Sequence, residues 1–183
     1  MQGLPPKWRA RYRLQSRVLY YMWLLRRSEY WTNCRRDPIA RVMAAVLRFR
    51  ILRLGELLGV SIPRNTCGPG FSLAHAGLTR VNKDCKVGAR VRIHQGCGLG
   101  HGVSSTTGES GAPVVGDDVF LSPGALVMGP VTLGNGSYVM PGAVVVKDVP
   151  AGAIVGGVPA KILRIEENPK PWRPSNYDSL PKL

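Results

Sequence analysis

The sequence predicts a mainly β protein in which a parallel β-helix follows a short basic helical segment. Three observations support this prediction: an aliphatic residue at every sixth position, a second repeat at eighteen positions, and helical spacing confined to the first third. An α-helix would place apolar residues three and four positions apart, and a flat strand would place them two apart. A period of six is instead typical of short strands that meet at tight corners, with each coil stacked on the last.

The six-residue period begins at Val81 and contains a single interruption. Its members are Val81, Val87, Ile93, Leu99, Val115, Leu121, Val127, Leu133, Val139 and Val145. Between Leu99 and Val115 the spacing is sixteen, which is not a multiple of six. We therefore expect residues 101–113 to loop out of the coil, and loops on rigid scaffolds often carry function.

Three hexads make one triangular coil of eighteen residues, and one short motif repeats at that distance. Pro123-Gly124-Ala125 recurs as Pro141-Gly142-Ala143. Residues one coil apart stack about 4.8 Å from each other along the axis, so these residues form a ladder on one edge. Two interpretations stay open. Small residues are what a tight corner tolerates, or the ladder leaves a groove for a slender ligand or a neighbouring subunit.

The chain divides into three predicted regions: a basic helical segment at 1–59, the β-helix at 60–163 and a Pro-rich tail at 164–183. Pro38 should break the helical segment and Gly59 should end it. The apolar residues with helical spacing are Val42, Val46, Phe49, Leu52, Leu54, Leu57 and Leu58. The first coil of the β-helix, from Val60 to Thr79, departs from the regular period.

Charge and cysteine content narrow the class of protein. The net charge is +14, and residues 1–64 hold 14 Lys/Arg against 3 Asp/Glu. Cys85 and Cys97 occupy small-residue positions of the repeat, and no CxxC motif is present, so neither a disulfide framework nor a zinc site is expected. A reducing cytoplasm is the predicted compartment. The apolar run at 18–25 is too short to cross a bilayer and lacks the features of a secretory signal.

Several segments of the chain resemble one family. The hexad pattern, followed by GGVPAKIL at 156–163, resembles the hexapeptide-repeat acyltransferases, whose left-handed β-helices assemble as homotrimers. The chain looks most like the serine acetyltransferase branch and its relatives that acetylate bacterial surface polysaccharides. The matching segments are Ser61–Gly77, Arg92–Gly100, Gly111–Ala125 and Val144–Lys161, and RRSEYWTNC at Arg26–Cys34 resembles the polysaccharide-associated relatives.

The resemblance implies transfer of an acetyl group from acetyl-CoA to a hydroxyl, with no metal. His75, in SLAHAG, stands where the family carries its general base, and imidazole titrates near the working pH. His94 is predicted to be a diagonal neighbour of His75, since the eighteen-residue rule stacks Ile93 beneath position 75. It would bind the acceptor hydroxyl or provide a second catalytic contact. An outward polar residue without a catalytic role is an equal alternative for His94, and loop exposure is the favoured explanation for His101.

The resemblance also implies how coenzyme A would bind. Its pantetheine arm would lie along the small-residue ladder between subunits, with the thioester near Gly100 and the phosphates near lysine side chains. The implied cofactor-binding residues are Gly100, Gly124, Ala125, Gly142, Ala143, Lys147 and Lys161.

The chain departs from the serine enzymes at positions that bind or orient. Ser61 and Ala74 stand where an acidic residue is usual, and ESGAP at 109–113 lacks the basic–His pair that holds the amino acid. The helical segment is also shorter than theirs. We therefore expect a saccharide hydroxyl of surface polysaccharide biosynthesis as the acceptor. One alternative is a serine O-acetyltransferase of cysteine biosynthesis, and another is a non-catalytic β-helix scaffold with a membrane-associating basic arm.

The basic segment allows three partners. Six aromatic residues interleave with six arginines between Arg9 and Trp31. This composition suits a nucleic-acid surface, an interfacial helix on an anionic membrane, or a solvated face that packs its apolar stripe against the trimer. The sequence carries no nucleic-acid-binding motif, so nucleic acid is not predicted as a partner. Peripheral attachment at the inner face of the membrane stays open.

Overall fold

The structure, a computed structural model, describes residues 16–104 and 107–167. Helix α1 spans Arg17–Asn33 and helix α2 spans Pro38–Leu58. The strands that follow are β1 Val60–Ser61, β2 Ser72–Leu73, β3 Thr79–Val81, β4 Lys86–Val87, β5 Arg92–Ile93, β6 Gly98–Gly100, β7 Gly102–Val103, β8 Ser110–Gly111, β9 Val114–Val115, β10 Phe120–Leu121, β11 Leu126–Met128, β12 Thr132–Leu133, β13 Tyr138–Val139, β14 Val144–Val145, β15 Ala153–Gly157 and β16 Ala160–Ile165.

The strands stack into three parallel sheets, which we call the faces of a triangular β-helix. The first face has the order β1-β3-β6-β11-β14, and the third face has the order β4-β9-β12. The second face has the order β2-β5-β10-β13-β15, and β16 closes it by pairing antiparallel with β15. Leu121 lies beside Val139 and Val127 lies beside Val145, so the register in these coils is the predicted eighteen. The predicted parallel β-helix is confirmed.

The residues of the six-residue period fill the interior of this triangle. Ile93, Leu121, Leu133 and Val139 are fully buried. The flanking residues of the same strands face outward, because successive side chains of a strand point to opposite sides. Branched aliphatic side chains suit these positions since they pack well on a pleated surface. The regular period therefore builds a continuous apolar column.

The first coil is longer than eighteen residues, which corrects one expectation. Ile93 lies beside Leu73 and does not stack beneath position 75. The extra length lies at the corner between β2 and β3, which holds His75, because the buried Leu73 and Val81 are eight residues apart where the regular period has six. At the preceding corner Asn65 adopts a left-handed backbone with φ of 62°, and the carboxylate of Glu29 in α1 accepts its backbone N–H at 2.8 Å.

The predicted loop leaves the coil between the third and first faces. Gly102 pairs antiparallel with Gly111, and Val103 pairs with Ser110. The strands on either side keep their stacking, because Val87 still lies beside Val115 across the insertion. The prediction that residues 101–113 loop out is confirmed.

The ends of α2 follow directly from the sequence. The Asp37 carboxylate accepts the Ala40 backbone N–H at 3.0 Å, and Pro38 is the first helical residue. Gly59 ends the helix in a left-handed conformation with φ of 68°. Asp at the N-cap, Pro after it and Gly past the last turn are the favoured residues at these positions. The predicted break at Pro38 and end at Gly59 are confirmed.

The side of α2 that packs inward is not the apolar stripe read from the sequence. Ala40, Leu47, Ile51, Gly55 and Leu58 are buried. Small residues permit this close packing, since a Cβ at Gly55 would lie 2.5 Å from the Val60 carbonyl oxygen. Of the residues with helical spacing, Val42, Val46, Phe49, Leu52 and Leu57 are exposed, whereas Leu58 is buried and Leu54 packs against the core.

The helices and the first coil share one hydrophobic core. Tyr21 is buried, and its hydroxyl accepts the Ile62 backbone N–H at 3.2 Å. Arg26 donates to the carbonyl oxygens of Cys67, at 2.7 Å, and Gly68. The division of the chain at residue 59 stays a prediction, as does the tail, which begins within β16 and lies outside the described residues from 168 onward.

Three of the four cysteines are buried free thiols, which yields a prediction of reactivity. Burial raises the pKa of Cys67 to about 11 and also raises the pKa of Cys85 and Cys97. Cys34 is exposed. Because the thiolate is the reactive form, we expect a chromogenic disulfide reagent to titrate one thiol in the folded protein. All 4 should react in denaturant. Rapid reaction of more than one thiol in the folded protein would contradict the burial of these three side chains.

Candidate active site

Two histidines lie together at one corner of the second face. His75 is exposed and follows β2 by two residues, whereas His94 is half-buried and directly follows β5. Their ring centroids are 5.7 Å apart and their planes are tilted by 58°. The two imidazoles are neighbours, as predicted, although the register of the first coil differs from the predicted one. The site therefore holds an accessible imidazole supported by a second one.

Backbone hydrogen bonds and one glycine fix this corner. The Ala74 N–H donates to the Ile93 carbonyl at 2.9 Å, and the His94 N–H donates to the Leu121 carbonyl at 3.0 Å. Gly77 has a φ of 139°, and a Cβ there would lie 2.9 Å from the Cβ of Gln95. The glycine of the His-Ala-Gly motif is thus required for the two coils to approach next to His94.

Arg92 is a member of the site that sequence reasoning missed. Its Nε lies 3.4 Å from Nε2 of His94, and its Nη1 donates to the Ser72 hydroxyl at 3.0 Å. The sequence contained a signal for this contact. Arg92 and His94 are two residues apart along an extended segment, so their side chains face the same side. The guanidinium places a fixed positive charge beside the imidazole pair, where it can attract an anionic group of a substrate.

The environment of His94 favours its neutral form. Burial lowers the pKa of His94 most, followed by the charge of Arg92 and then that of His75. A neutral His94 can accept the hydrogen bond from Arg92 or bind a substrate hydroxyl. Since its folded pKa lies below the unfolded value, the unfolded chain binds more protons in the window between the two. His94 therefore contributes stability above the ordinary histidine pKa of about 6.5, and this contribution is lost as the pH falls through the folded value.

An NMR titration checks this assignment. We expect the His94 ring resonances to titrate below about pH 6.5, the usual value for histidine. Arg92→Gln should raise the midpoint, because it removes a nearby positive charge. A His94 midpoint above about pH 6.5 would contradict the assigned environment.

Within residues 16–104 and 107–167, no hydrogen bond or ion pair joins a carboxylate to either of the two imidazoles. Ser61 lies on the first face in β1, and Ala74 has no polar side chain. The amide of Gln95, next to His94, has a buried oxygen without a hydrogen-bond partner among the described groups. Arg92 and Gln95 thus flank His94, and among the described residues no carboxylate pairs with the imidazoles as is usual in the serine enzymes.

A row of rings runs from the histidines along the second face. The centroids of His94 and Phe120 are 5.0 Å apart, and those of Phe120 and Tyr138 are 4.6 Å apart with nearly parallel planes. Tyr138 and Arg164 line a cleft of about 330 Å³ between the second face and β16. The cleft therefore lies at the opposite end of the ring row from His75. Sequence reasoning missed Phe120 and Tyr138, which precede period residues as ordinary outward-facing side chains.

The predicted ladder of small residues begins at the corner that holds His94. Gly124 stacks on Gly142, and Gly96 extends the ladder by one rung toward the histidines. All three have positive φ, between 68° and 78°. Ala125 and Ala143 are fully buried, so their methyl groups face the interior and only the backbone of this corner can contact a ligand. The ladder is present, but its accessible surface consists of glycines.

The remaining predicted cofactor residues lie along the coil stack. Gly100 is in β6, and a Cβ there would lie 2.5 Å from the sulfur of Met128, so a side chain at this position would have to displace the end of the Met128 side chain. Lys147 follows β14, and Lys161 lies in β16; both are exposed. Because β16 and β2 are at opposite ends of the second face, about 24 Å separates them at 4.8 Å per strand. A ligand that reaches both His75 and the lysines must run along the stack.

Neither helix in the described part of the chain is long and apolar enough to cross a membrane. Among the same residues, no three His, Cys, Asp or Glu side chains are grouped so that they could hold a metal ion.

Comparison with known proteins places the chain in a family. The model of the bacterial transferase hexapeptide (six repeats) matches residues 112–147. A serine acetyltransferase of Bacillus pumilus is 30% identical over 164 residues, which cover 89% of this chain and 71% of that protein. The chain belongs to the hexapeptide-repeat acyltransferase family. A serine acetyltransferase of Mycobacterium tuberculosis is 37% identical over 128 residues, covering 69% of this chain and 54% of that protein.

Solved structures of hexapeptide-repeat acyltransferases share the fold. The serine acetyltransferase of Neisseria gonorrhoeae in complex with serine has a TM-score of 0.62 and 26% identity, covering 79% of this chain and 56% of that one. The enzyme of Brucella abortus in complex with coenzyme A has a TM-score of 0.61 and 22% identity, covering 81% and 56%. The chain thus spans a little over half the length of these structures. The predicted left-handed parallel β-helix and acyltransferase class are confirmed.

Proposed function

We propose that this protein is an acetyl-CoA-dependent O-acetyltransferase in which His75 is the general base and serine is the acceptor. The observation that carries the proposal is the exposed imidazole of His75, supported by His94, at the start of the glycine ladder. A hydroxyl that attacks a thioester must lose its proton as the new bond forms, and a positioned imidazole can accept it.

The reaction is a direct transfer. The acceptor hydroxyl oxygen attacks the thioester carbonyl carbon while its proton moves to the neutral ring of His75. Backbone N–H groups or water stabilise the oxyanion of the tetrahedral intermediate. The carbon–sulfur bond then breaks, and the coenzyme A thiolate takes the proton from His75. The products are an O-acetyl ester and free coenzyme A, and no acyl-enzyme forms.

His94 and Arg92 would prepare this step. Burial and then the positive charge of Arg92 lower the pKa of His94, which favours the neutral form of this second imidazole. A neutral His94 can then hold the acceptor hydroxyl near His75. In this role His94 contacts substrate and does not itself remove the proton.

Coenzyme A would extend from the histidines along the coil stack. Its slender pantetheine arm suits the exposed backbone of Gly96, Gly124 and Gly142. Lys147 and Lys161 are at the far end, where a phosphate would benefit from a cation. His75 is exposed on a single protomer, and the proposed homotrimer would cover it with a neighbouring subunit. The active site would then lie between two chains in the cytoplasm, the compartment that the free cysteines favour.

The comparisons with known proteins change the expected acceptor. The sequence alone favoured a saccharide, but the relatives named above are serine acetyltransferases, and their names give no support to a polysaccharide acceptor. Arg92 supplies a cation next to His94, although the basic–His pair of the serine enzymes is absent from the loop. A guanidinium binds a carboxylate well, which favours an amino acid over a neutral sugar.

Release of free thiol from acetyl-CoA, with serine and a panel of neutral sugars as acceptors, tests the proposal. We expect serine to stimulate thiol release and the protein alone to give only the background of Cys34. Stimulation by a sugar and not by serine would overturn the acceptor assignment. The absence of release with every acceptor would instead favour the non-catalytic scaffold.

A further inference from the structure

The outward side of α2 is an exposed apolar surface. Ile39, Val42 and Phe49 are 69%, 64% and 64% exposed, and Val46 and Leu52 are exposed as well. At about 100° per residue these five side chains fall on one side of the helix, opposite the buried Leu47 and Ile51. We call this set the α2 outer face. It continues over most of the helix, unlike the scattered exposed apolar residues of an ordinary surface.

Arginines border the α2 outer face on both sides. Arg41, Arg48 and Arg64 converge on a shallow depression of about 490 Å³ whose floor includes Phe49 and Leu52. Helical geometry places Arg50 at the other border and Arg53 near the middle, where its guanidinium lies 6.0 Å from the Phe49 ring.

The charge of α2 is not neutralised locally. In the part of the chain that the structure describes, no ion pair joins a carboxylate to Arg41, Arg48, Arg50 or Arg53. The helix carries these four arginines against one acidic residue, Glu56. An occupant of the α2 outer face must therefore supply both an apolar layer and negative charge.

We propose that the α2 outer face docks on a bilayer that contains anionic phospholipid, with the helix lying parallel to the membrane plane. Phospholipid phosphates would contact the bordering arginines, and the apolar side chains would enter the boundary between headgroups and acyl chains. A second copy of this chain fits less well, since it would bring four more arginines against the first four. The proposal concerns a surface away from the histidines and is independent of the proposed acetyl transfer.

Vesicle sedimentation of the full chain tests the docking. We expect the protein to bind vesicles of phosphatidylglycerol mixed with phosphatidylcholine, and not vesicles of phosphatidylcholine alone. Each basic residue near an anionic membrane surface contributes a similar amount to the free energy of binding. Arg41→Gln with Arg48→Gln should therefore weaken vesicle binding about thirty-fold. Val42→Ser with Phe49→Ser should weaken it at least about tenfold through lost apolar burial.

Two matched pairs provide the controls. Lys83→Gln with Lys86→Gln removes the same charge from exposed positions of the β-helix, and Ile162→Ser with Leu163→Ser removes exposed apolar side chains from β16. Both pairs should bind anionic vesicles nearly as well as the unsubstituted protein. Circular dichroism should show the same fold for all variants, because every substituted side chain is exposed.

Three results would overturn the proposal. The first is equal binding to neutral and anionic vesicles, or to neither. The second is an equal loss of binding in the charge control, which would indicate a diffuse effect of net charge. The third is a reduced oligomer in light scattering for Val42→Ser with Phe49→Ser while vesicle binding is unchanged, which would make the α2 outer face a contact between copies.

Discussion

His75→Ala is expected to lower kcat for acetyl transfer by about 10²–10⁴-fold, the usual contribution of a positioned general base. The change removes the group that accepts the hydroxyl proton and leaves the glycine ladder intact. The KM for acetyl-CoA should therefore change little. Steady-state kinetics with serine and acetyl-CoA, measured by thiol release, gives both constants. Because His75 is exposed, the free energy of unfolding should stay within about 0.5 kcal/mol of that of the original protein.

His101→Ala is the matched control for this experiment. It removes the same side chain from an exposed position at the start of the loop, outside the histidine pair. We expect its kcat to stay within a few-fold of the original. An unchanged kcat for His75→Ala, or an equal loss for His101→Ala, would remove His75 from the role of base.

Leu121→Ala should destabilise the protein by about 2–5 kcal/mol, as is typical for a large apolar side chain replaced by Ala in a core. Leu121 is fully buried between Ile93 and Val139, and its carbonyl accepts the His94 backbone N–H at 3.0 Å. A cavity there would loosen both the apolar column and the strand that precedes His94. Urea unfolding followed by circular dichroism measures the change in the free energy of unfolding.

Leu126→Ala tests the alternation that this prediction depends on. Leu126 belongs to β11, the next strand along the chain, but its side chain is 39% exposed on the outer side. The same substitution should cost less than about 1 kcal/mol there, as is usual at a surface. An equal cost at both positions would mean that the period residues do not define the interior.

The fold was predictable because a single physical constraint repeats. Each unit of one short strand and one corner has six residues and places one branched side chain in the interior. The pattern from Val115 to Val145 therefore predicts the sheets, their register and the core together. The first coil escaped this reasoning. Its extra residues lie at the corner around His75, where Leu73 and Val81 are eight residues apart, and no periodicity within the coil encodes them.

The candidate site was predictable in part. His75 and His94 were found from motif and period, but the roles of Arg92 and Gln95 depend on which outward side chains meet across coils of unequal length. The sidedness of α2 was missed for a related reason. An apolar stripe usually marks a buried helix face, whereas here Ala40 and Gly55 share the buried side with large residues such as Leu47, and a second apolar stripe faces outward.

A crystal structure of the protein with bound coenzyme A and serine tests the central claim most directly. The account predicts the serine hydroxyl in hydrogen-bond reach of the His75 ring, with the coenzyme A sulfur placed so that the carbonyl carbon of an acetyl group on it would lie about 3–3.5 Å from that hydroxyl oxygen. The pantetheine arm should follow Gly96, Gly124 and Gly142. Coenzyme A bound on another face, with its sulfur remote from His75, would contradict the account.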